Sequence, residues 1–161
     1  MIIYLVRHGV TDACKNSDKS LKNVYLNSEG KKQINNISKR IPKIDKIFTS
    51  PTLRTIETAD IIRINCNPNA DMNTDYRLLN KVDEGQTYIN NLKSFLDYLK
   101  KENGTILLVT HGRIIKMIYS IVLYNTIDIN FIDRLSMDYG SISKFEYIND
   151  KLNFLEFNFL G

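Results

Sequence analysis

The sequence predicts an α/β fold, a three-layer α/β/α sandwich with a mostly parallel central sheet and an antiparallel edge strand. Three observations carry this. Two short apolar runs, Ile2-Ile3-Tyr4-Leu5-Val6 and Thr105-Ile106-Leu107-Leu108-Val109, each end at polar residues, the pattern of strands buried on both faces. Between them lie longer segments whose apolar residues recur at helical spacing. The two kinds of segment alternate along the chain, and alternation places helices on both faces of a parallel sheet.

In chain order, the first strand ends in the polar loop that opens at Arg7. Residues 28–41 read as a helix, capped by Asn27 or Ser28, with Ile34, Ile37 and Ile41 on one face and Pro42 as the stop. Residues 44–49 read as a second strand. Residues 52–64 form a helix with Leu53, Ile56, Ala59 and Ile62 on one side. A weaker strand spans 70–76. Residues 86–102 make the most regular helix, through Leu92, Phe95, Leu96 and Leu99, closed by Asn103-Gly104. The strand at 105–110 leads at once into a helix over about 112–123. Residues 141–148 and 152–157 alternate around Asn149-Asp150-Lys151, which predicts an antiparallel hairpin at a sheet edge.

The chain of 161 residues fits a single domain, residues 1–161, and 43% hydrophobic residues suffice for one core. A net charge of +4 with scattered lysines does not indicate a nucleic-acid partner, and it suits a small anionic substrate. The opening apolar run is too short to span a membrane and lacks the flanks of a signal peptide. Cys14 and Cys66 form neither a disulfide framework nor a zinc motif, so a reducing cytoplasm is the expected location. Composition is silent on oligomeric state.

In such a fold, ligands sit beyond the carboxyl ends of the strands. The chain's two histidines both lie there, in Arg7-His8-Gly9 and Thr110-His111-Gly112. A third strand end leads into Ser50-Pro51-Thr52-Leu53-Arg54. Two imidazoles and two guanidinium groups are thus directed to one place. Guanidinium forks match phosphate oxygens, and imidazole is a nucleophile or proton carrier near neutral pH. Glycine after each histidine allows close backbone approach to an oxyanion, and the helix N-termini that follow add amide donors. Alone, either histidine would read as a cap or core residue and Arg54 as a solvated helix residue. Together they read as a phosphoryl-transfer site.

Arg7-His8-Gly9-Val10-Thr11 resembles the N-terminal signature of the histidine phosphatase, or phosphoglycerate mutase-like, superfamily. Leu26-Asn27-Ser28-Glu29-Gly30-Lys31-Lys32-Gln33, Ser50-Pro51-Thr52-Leu53-Arg54-Thr55-Ile56-Glu57-Thr58-Ala59 and Val109-Thr110-His111-Gly112 resemble its later blocks, in family order. The resemblance implies a phosphoglycerate mutase-like fold over essentially the whole chain. It also implies catalysis through a phosphohistidine on His8, with Arg7, Arg54 and His111 clamping the phosphate and no metal or cofactor. His8 would be neutral, its second ring nitrogen held by a backbone carbonyl, and His111 protonated. Gly9, Thr11, Ser50 and Gly112 are expected around the phosphate.

Three departures from the family pattern stand out. Val10 replaces an acidic or amide residue, and Cys14, with Asn16 nearby, stands where an asparagine is common. Asn80, in Leu78-Leu79-Asn80, occupies the place of the family's acidic residue. Glu84 is therefore the first candidate for the general acid and Asp83 the second, with a charge favouring the next helix as the alternative role. The expected activity is hydrolysis of a small phosphorylated metabolite such as a sugar phosphate or α-ribazole phosphate. Phosphoglycerate mutase is disfavoured by the short chain, and protein phosphohistidine phosphatase is a further alternative. Specificity is expected from residues 12–25, 77–90 and 125–140.

Overall fold

The computed structural model describes residues 1–13, 24–80 and 85–160. Strand β1 (Ile2–Arg7) is followed by helix α1 (Ser28–Ser38), β2 (Lys46–Thr49), α2 (Leu53–Cys66) and β3 (Asp71–Thr74). After a short 3₁₀ turn, Tyr76–Leu78, come α3 (Gly85–Leu99), β4 (Thr105–Thr110), α4 (Gly112–Tyr124), α5 (Ile129–Arg134), β5 (Ile142–Ile148) and β6 (Lys151–Phe159). The strands form one sheet in the order β3-β2-β4-β1-β5-β6. The first four are mutually parallel, β5 is antiparallel to β1, and β6 is antiparallel to β5. The reversed strand therefore lies one place in from the edge, and β6 forms the edge.

The continuous apolar runs are explained by burial on both faces. Ile3, Leu5, Ile106 and Leu108 point into a core that contains Leu92, Phe95 and Leu99 of α3 and Ile114, Ile115 and Ile118 of α4. Their sequence neighbours Tyr4, Val6, Leu107 and Val109 point into a second core with Ile34 and Ile37 of α1 and Ala59 and Ile62 of α2. Because strand side chains alternate, one strand feeds both cores, and three layers result. Truncating a residue such as Leu108, 1% exposed, to alanine costs about 2–5 kcal/mol through lost burial and a residual cavity.

Several boundaries differ from the sequence reading for local reasons. Helix α1 stops at Ser38, where the hydroxyl turns back to the Ile34 carbonyl at 2.7 Å. Residues 39–41 then tighten into three-residue bonds, including Arg40 N–H to Ile37 O at 2.9 Å, while Ile41 stays in the core. Helix α3 likewise ends at Leu99, and Glu102 N–H bonds the Leu99 carbonyl at 2.9 Å. Strand β2 begins two residues late because Asp45 instead exchanges bonds with Thr105, through its backbone at 2.9 Å and its carboxylate at 2.8 Å. Strand β3 covers only Asp71–Thr74, since Asp75 caps the 3₁₀ turn by accepting from Arg77 N–H at 2.9 Å. Helix α5, not anticipated, is capped by Asp128, which accepts from Phe131 N–H at 3.2 Å. The hairpin turn is Asn149-Asp150, with φ of 50° and 60°, the two left-handed positions of a type I′ turn. Among the described residues no helix is long and apolar enough to cross a membrane.

Candidate active site

Three parallel strands end side by side, and their register brings the motifs together. Val6 pairs with Val109 and Arg7 with Thr110 across β1 and β4, while Thr49 pairs with Val109 across β2 and β4. The next residues in each chain, His8, His111 and Ser50, are therefore neighbours. Backbone bonds continue the pattern past the strands: His8 N–H donates to Thr110 O at 3.0 Å, and Ser50 N–H to Val109 O at 3.0 Å. Arg54 arrives on the first turn of α2 and His111 immediately precedes α4. These side chains surround a cavity of about 320 Å³ lined by Arg7, His8, Arg54, His111 and Gly112, together with Asn80, Arg113, Lys116 and Met137.

The two imidazoles lie 5.3 Å apart, inclined by 70°, and both are nearly inaccessible, at 5% and 4% exposure. Nδ1 of His8 is 2.9 Å from the Gly9 carbonyl oxygen. A carbonyl only accepts, so Nδ1 carries the proton and Nε2 keeps its lone pair. In His111 the arrangement is reversed. Nε2 lies 3.0 Å from the Ser50 hydroxyl, and Nδ1 lies 3.5 Å from Arg54 Nη2. A guanidinium only donates, so Nδ1 of His111 is the acceptor and Nε2 donates to Ser50.

Burial pushes the His8 pKa well below its ordinary value, aided by the neighbouring His111, Arg54 and Arg7 and opposed by the Gly9 bond. Burial, then Arg54 and Arg7, lowers His111 to about 3. Burial and the two guanidinium groups thus favour a neutral His111, whereas the expected protonated form belongs to the phosphate-bound state. Two permanent cations without an anion between them disfavour a third charge in a poorly solvated space.

The surroundings hold these groups in place. Arg7 spreads over the ring of Tyr139, its guanidinium carbon 3.5 Å from the ring centroid, and donates to the Met137 carbonyl. Gly140, at φ +65°, donates its N–H to the carbonyls of both Arg7 and His8 at 3.2 Å. Gln33 anchors the same segment through the Tyr139 carbonyl. Gly9 N–H donates to Thr58 Oγ1 at 3.2 Å, and that hydroxyl donates to Arg54 O at 2.7 Å, joining the His8 loop to the Arg54 helix.

Of the ten residues anticipated from sequence, Arg7, His8, Arg54, His111 and Gly112 line the cavity, and Ser50 supports it through His111. Thr11 is buried outside the lining. Gly9 abuts helix α1 rather than the cavity, since a β-carbon there would lie 2.9 Å from Ile34 Cγ1 and 3.1 Å from Gly30 O. Its small size admits the helix, not an oxyanion. Gly112 makes room for Arg7, whose Cδ and Nε would lie 3.2 Å from an added β-carbon. Glu84 and Asp83, like Cys14 and Asn16, lie outside the described residues. The sequence reading reached Met137 and Tyr139 only within the specificity segment 125–140, and it missed Arg113 and Lys116. Two signals were present: a hairpin antiparallel to β1 starts beside the end of β1, and Lys116 follows Gly112 by one helical turn.

The profile of the histidine phosphatase superfamily (branch 1) matches residues 3–80 and 83–160. No curated protein matches the chain significantly in sequence. Solved structures share its fold. YhfR of Bacillus stearothermophilus superposes with a TM-score of 0.81 at 20% identity, covering 99% of this chain and 98% of that one. A phosphoserine phosphatase mutant from Entamoeba histolytica, solved with phosphoserine, gives 0.78 at 20% identity over 98% and 96%. A phosphoglycerate mutase from Bacillus anthracis gives 0.80 at 15% identity over 98% and 92%. With the profile matched along nearly all of its length, this chain belongs to the histidine phosphatase superfamily, branch 1.

Proposed function

We propose that the chain is a phosphatase that hydrolyses phosphate monoesters of small metabolites through a phosphohistidine on Nε2 of His8, without a metal ion. The observation that carries this reading is the His8–Gly9 bond at 2.9 Å, which leaves the Nε2 lone pair available beside two guanidinium groups. In the first step that lone pair attacks phosphorus, the ester P–O bond breaks, and the departing oxygen takes a proton. In the second, water attacks phosphorus, the P–N bond breaks, and phosphate leaves. Splitting one displacement into two gives each a better nucleophile or leaving group. Arg7 and Arg54 balance the two negative charges of the ester and stabilise the equatorial oxygens. A bound dianion also raises the His111 pKa, so that His111 becomes a third donor to the phosphoryl group as the ligand enters.

The proton donor for the leaving group is assigned to Glu84, with Asp83 as the second candidate. Asn80, which lines the cavity, has no proton to give. The solved neighbours bear names of both phosphatases and a mutase, and this chain covers 92% of that mutase, so length does not separate the two activities. The two-histidine, two-arginine set suits either activity, and the hydrolase is preferred because its second step needs no acceptor but water.

The test is hydrolysis of an activated aryl phosphate in excess chelator by the wild type and by His8→Ala. Chelator-resistant turnover that falls about 10⁴-fold or more in the variant is expected. Substantial activity in His8→Ala would remove His8 as nucleophile, and chelator-sensitive activity would remove the metal-free route. In the same assay, Glu84→Gln should slow an alkyl phosphate far more than the aryl one, because only the poor leaving group needs the proton. Equal slowing removes Glu84 from that role.

A further inference from the structure

Between α5 and β5, residues 135–141 form neither helix nor strand, yet this stretch meets Arg7 at four consecutive or near-consecutive positions. The Met137 carbonyl accepts from Arg7 Nη1. The Tyr139 ring lies under the guanidinium, with 3.5 Å from ring centroid to Cζ. Gly140 N–H donates to Arg7 O at 3.2 Å, and Ser141 O accepts from Arg7 N–H at 3.1 Å.

The stretch is in turn tied to three separate elements. From α4, Lys116 Nζ donates to Leu135 O at 3.1 Å. From β6, Asn158 Oδ1 accepts from Asp138 N–H at 2.7 Å while its Nδ2 donates to the Asp138 carboxylate at 2.8 Å. From α1, Gln33 donates to Tyr139 O. A β-carbon on Gly140 would fall 2.5 Å from Gln33 Cδ, so glycine there admits Gln33 as well as the left-handed turn. Backbone without a ladder of its own is thus fixed by side chains from distant segments, as a supporting shell fixes the groups it surrounds.

Tyr139 is absent from the lining of the catalytic cavity, so its route to a bound phosphate runs through Arg7. Its ring centroid also lies 5.5 Å from that of His8. An aromatic face attracts a guanidinium within about 6 Å. A guanidinium already seated on a ring gives up less freedom when its fork engages an oxyanion.

We infer that Tyr139 is a positioning residue: it sets the orientation of the Arg7 guanidinium before the ligand arrives, and the anchored stretch 135–141 is the mount that holds it. This rests on the phosphoryl-transfer reading of the same site.

The probe is orthovanadate, which adopts the geometry of the transferring phosphoryl group and needs no turnover. Its dissociation constant is measured for the wild type, Tyr139→Phe and Tyr139→Leu, and for Tyr139→Leu in an Arg7→Ala background. Tyr139→Leu is expected to weaken vanadate about tenfold, the scale of a partly desolvated cation–ring contact. Tyr139→Phe, which keeps the ring, should change it less than about twofold. In the Arg7→Ala background Tyr139→Leu should cost nothing further, because a residue that acts through Arg7 has nothing left to orient. Unchanged affinity in Tyr139→Leu, a tenfold loss that persists without Arg7, or a wild type that binds no vanadate would overturn the role. The wild type decides if a variant fails to fold: nitrogen NMR of the empty protein should show hindered rotation of the Arg7 guanidinium, and free rotation would overturn the role. Aryl phosphate turnover reports separately. Turnover with vanadate affinity indifferent to Tyr139 removes the positioning role alone, and Tyr139-dependent affinity without turnover removes the phosphatase reading alone.

Discussion

The ends of β1 and β4 are built alike and yet differ in chemistry. Each is a buried parallel strand that delivers a histidine and then a glycine, in register with the other. At the β1 end, the backbone carbonyl of Gly9 takes the Nδ1 proton of His8 and leaves Nε2 without one. At the β4 end, the Ser50 hydroxyl takes the Nε2 proton of His111 and Nδ1 turns toward Arg54. One histidine thus presents a lone pair suited to attack. The other presents its Nδ1 lone pair to a cation, and Nδ1 can donate only once a bound anion raises the pKa and the ring takes a proton from solvent. The role follows the atom across the hydrogen bond, not the residue type or its place on the strand.

Substituting the two histidines in parallel breaks this comparison most sharply. His8→Asn should remove turnover altogether, whereas His111→Asn should lower kcat by about 10²–10³-fold, the cost of one transition-state donor. Rapid-quench trapping should still find a phosphohistidine in His111→Asn and none in His8→Asn. Phosphoryl label on His111 would reverse the assignments.

Ser50→Ala acts on one side only. It leaves the Nε2 proton of His111 without its acceptor, a loss of about 1–2 kcal/mol. The expected result is roughly a tenfold fall in kcat/KM with an altered pH profile. An unchanged profile would show that Ser50 merely fills space.

Stability as a function of pH probes both histidines at once. Both pKa values are depressed in the folded chain, from an ordinary 6.5, that of His111 to about 3. Below 6.5 the unfolded chain binds protons that the folded chain refuses, so stability is full above that pH and is lost as the pH falls toward 3. The slope approaches about 1.4 kcal/mol per pH unit for each histidine. Denaturant titrations at neutral and mildly acidic pH should show this fall, made shallower by His111→Asn and by added phosphate. A slope identical in wild type and variant would mean that His111 is protonated in the empty site.

Much of the fold was legible because it rests on local rules. The runs IIYLV and TILLV could only be strands covered on both faces, and the phase of Leu92, Phe95, Leu96 and Leu99 admits one helix face. The misplaced boundaries, at Ser38, Leu99 and Lys46, are places where a hydroxyl, a tightened last turn or an aspartate took over the backbone's hydrogen bonds. Apolar periodicity carries no record of such exchanges. Helix α5 escaped for the same reason: it is six residues long, too short to show a period.

By itself, the sequence determined the family, the alternation of strand and helix, and the convergence of Arg7, His8, Arg54 and His111, because each depends on residue types at fixed spacings within a segment. Only the tertiary structure decided the rest. It set the opposite tautomers of the two histidines and the neutral state of His111. It turned Gly9 toward a helix, seated Tyr139 under Arg7 and brought Lys116 to the cavity. Those outcomes depend on which atoms of distant segments come within 3 or 4 Å of one another, and distances across the fold are set by packing.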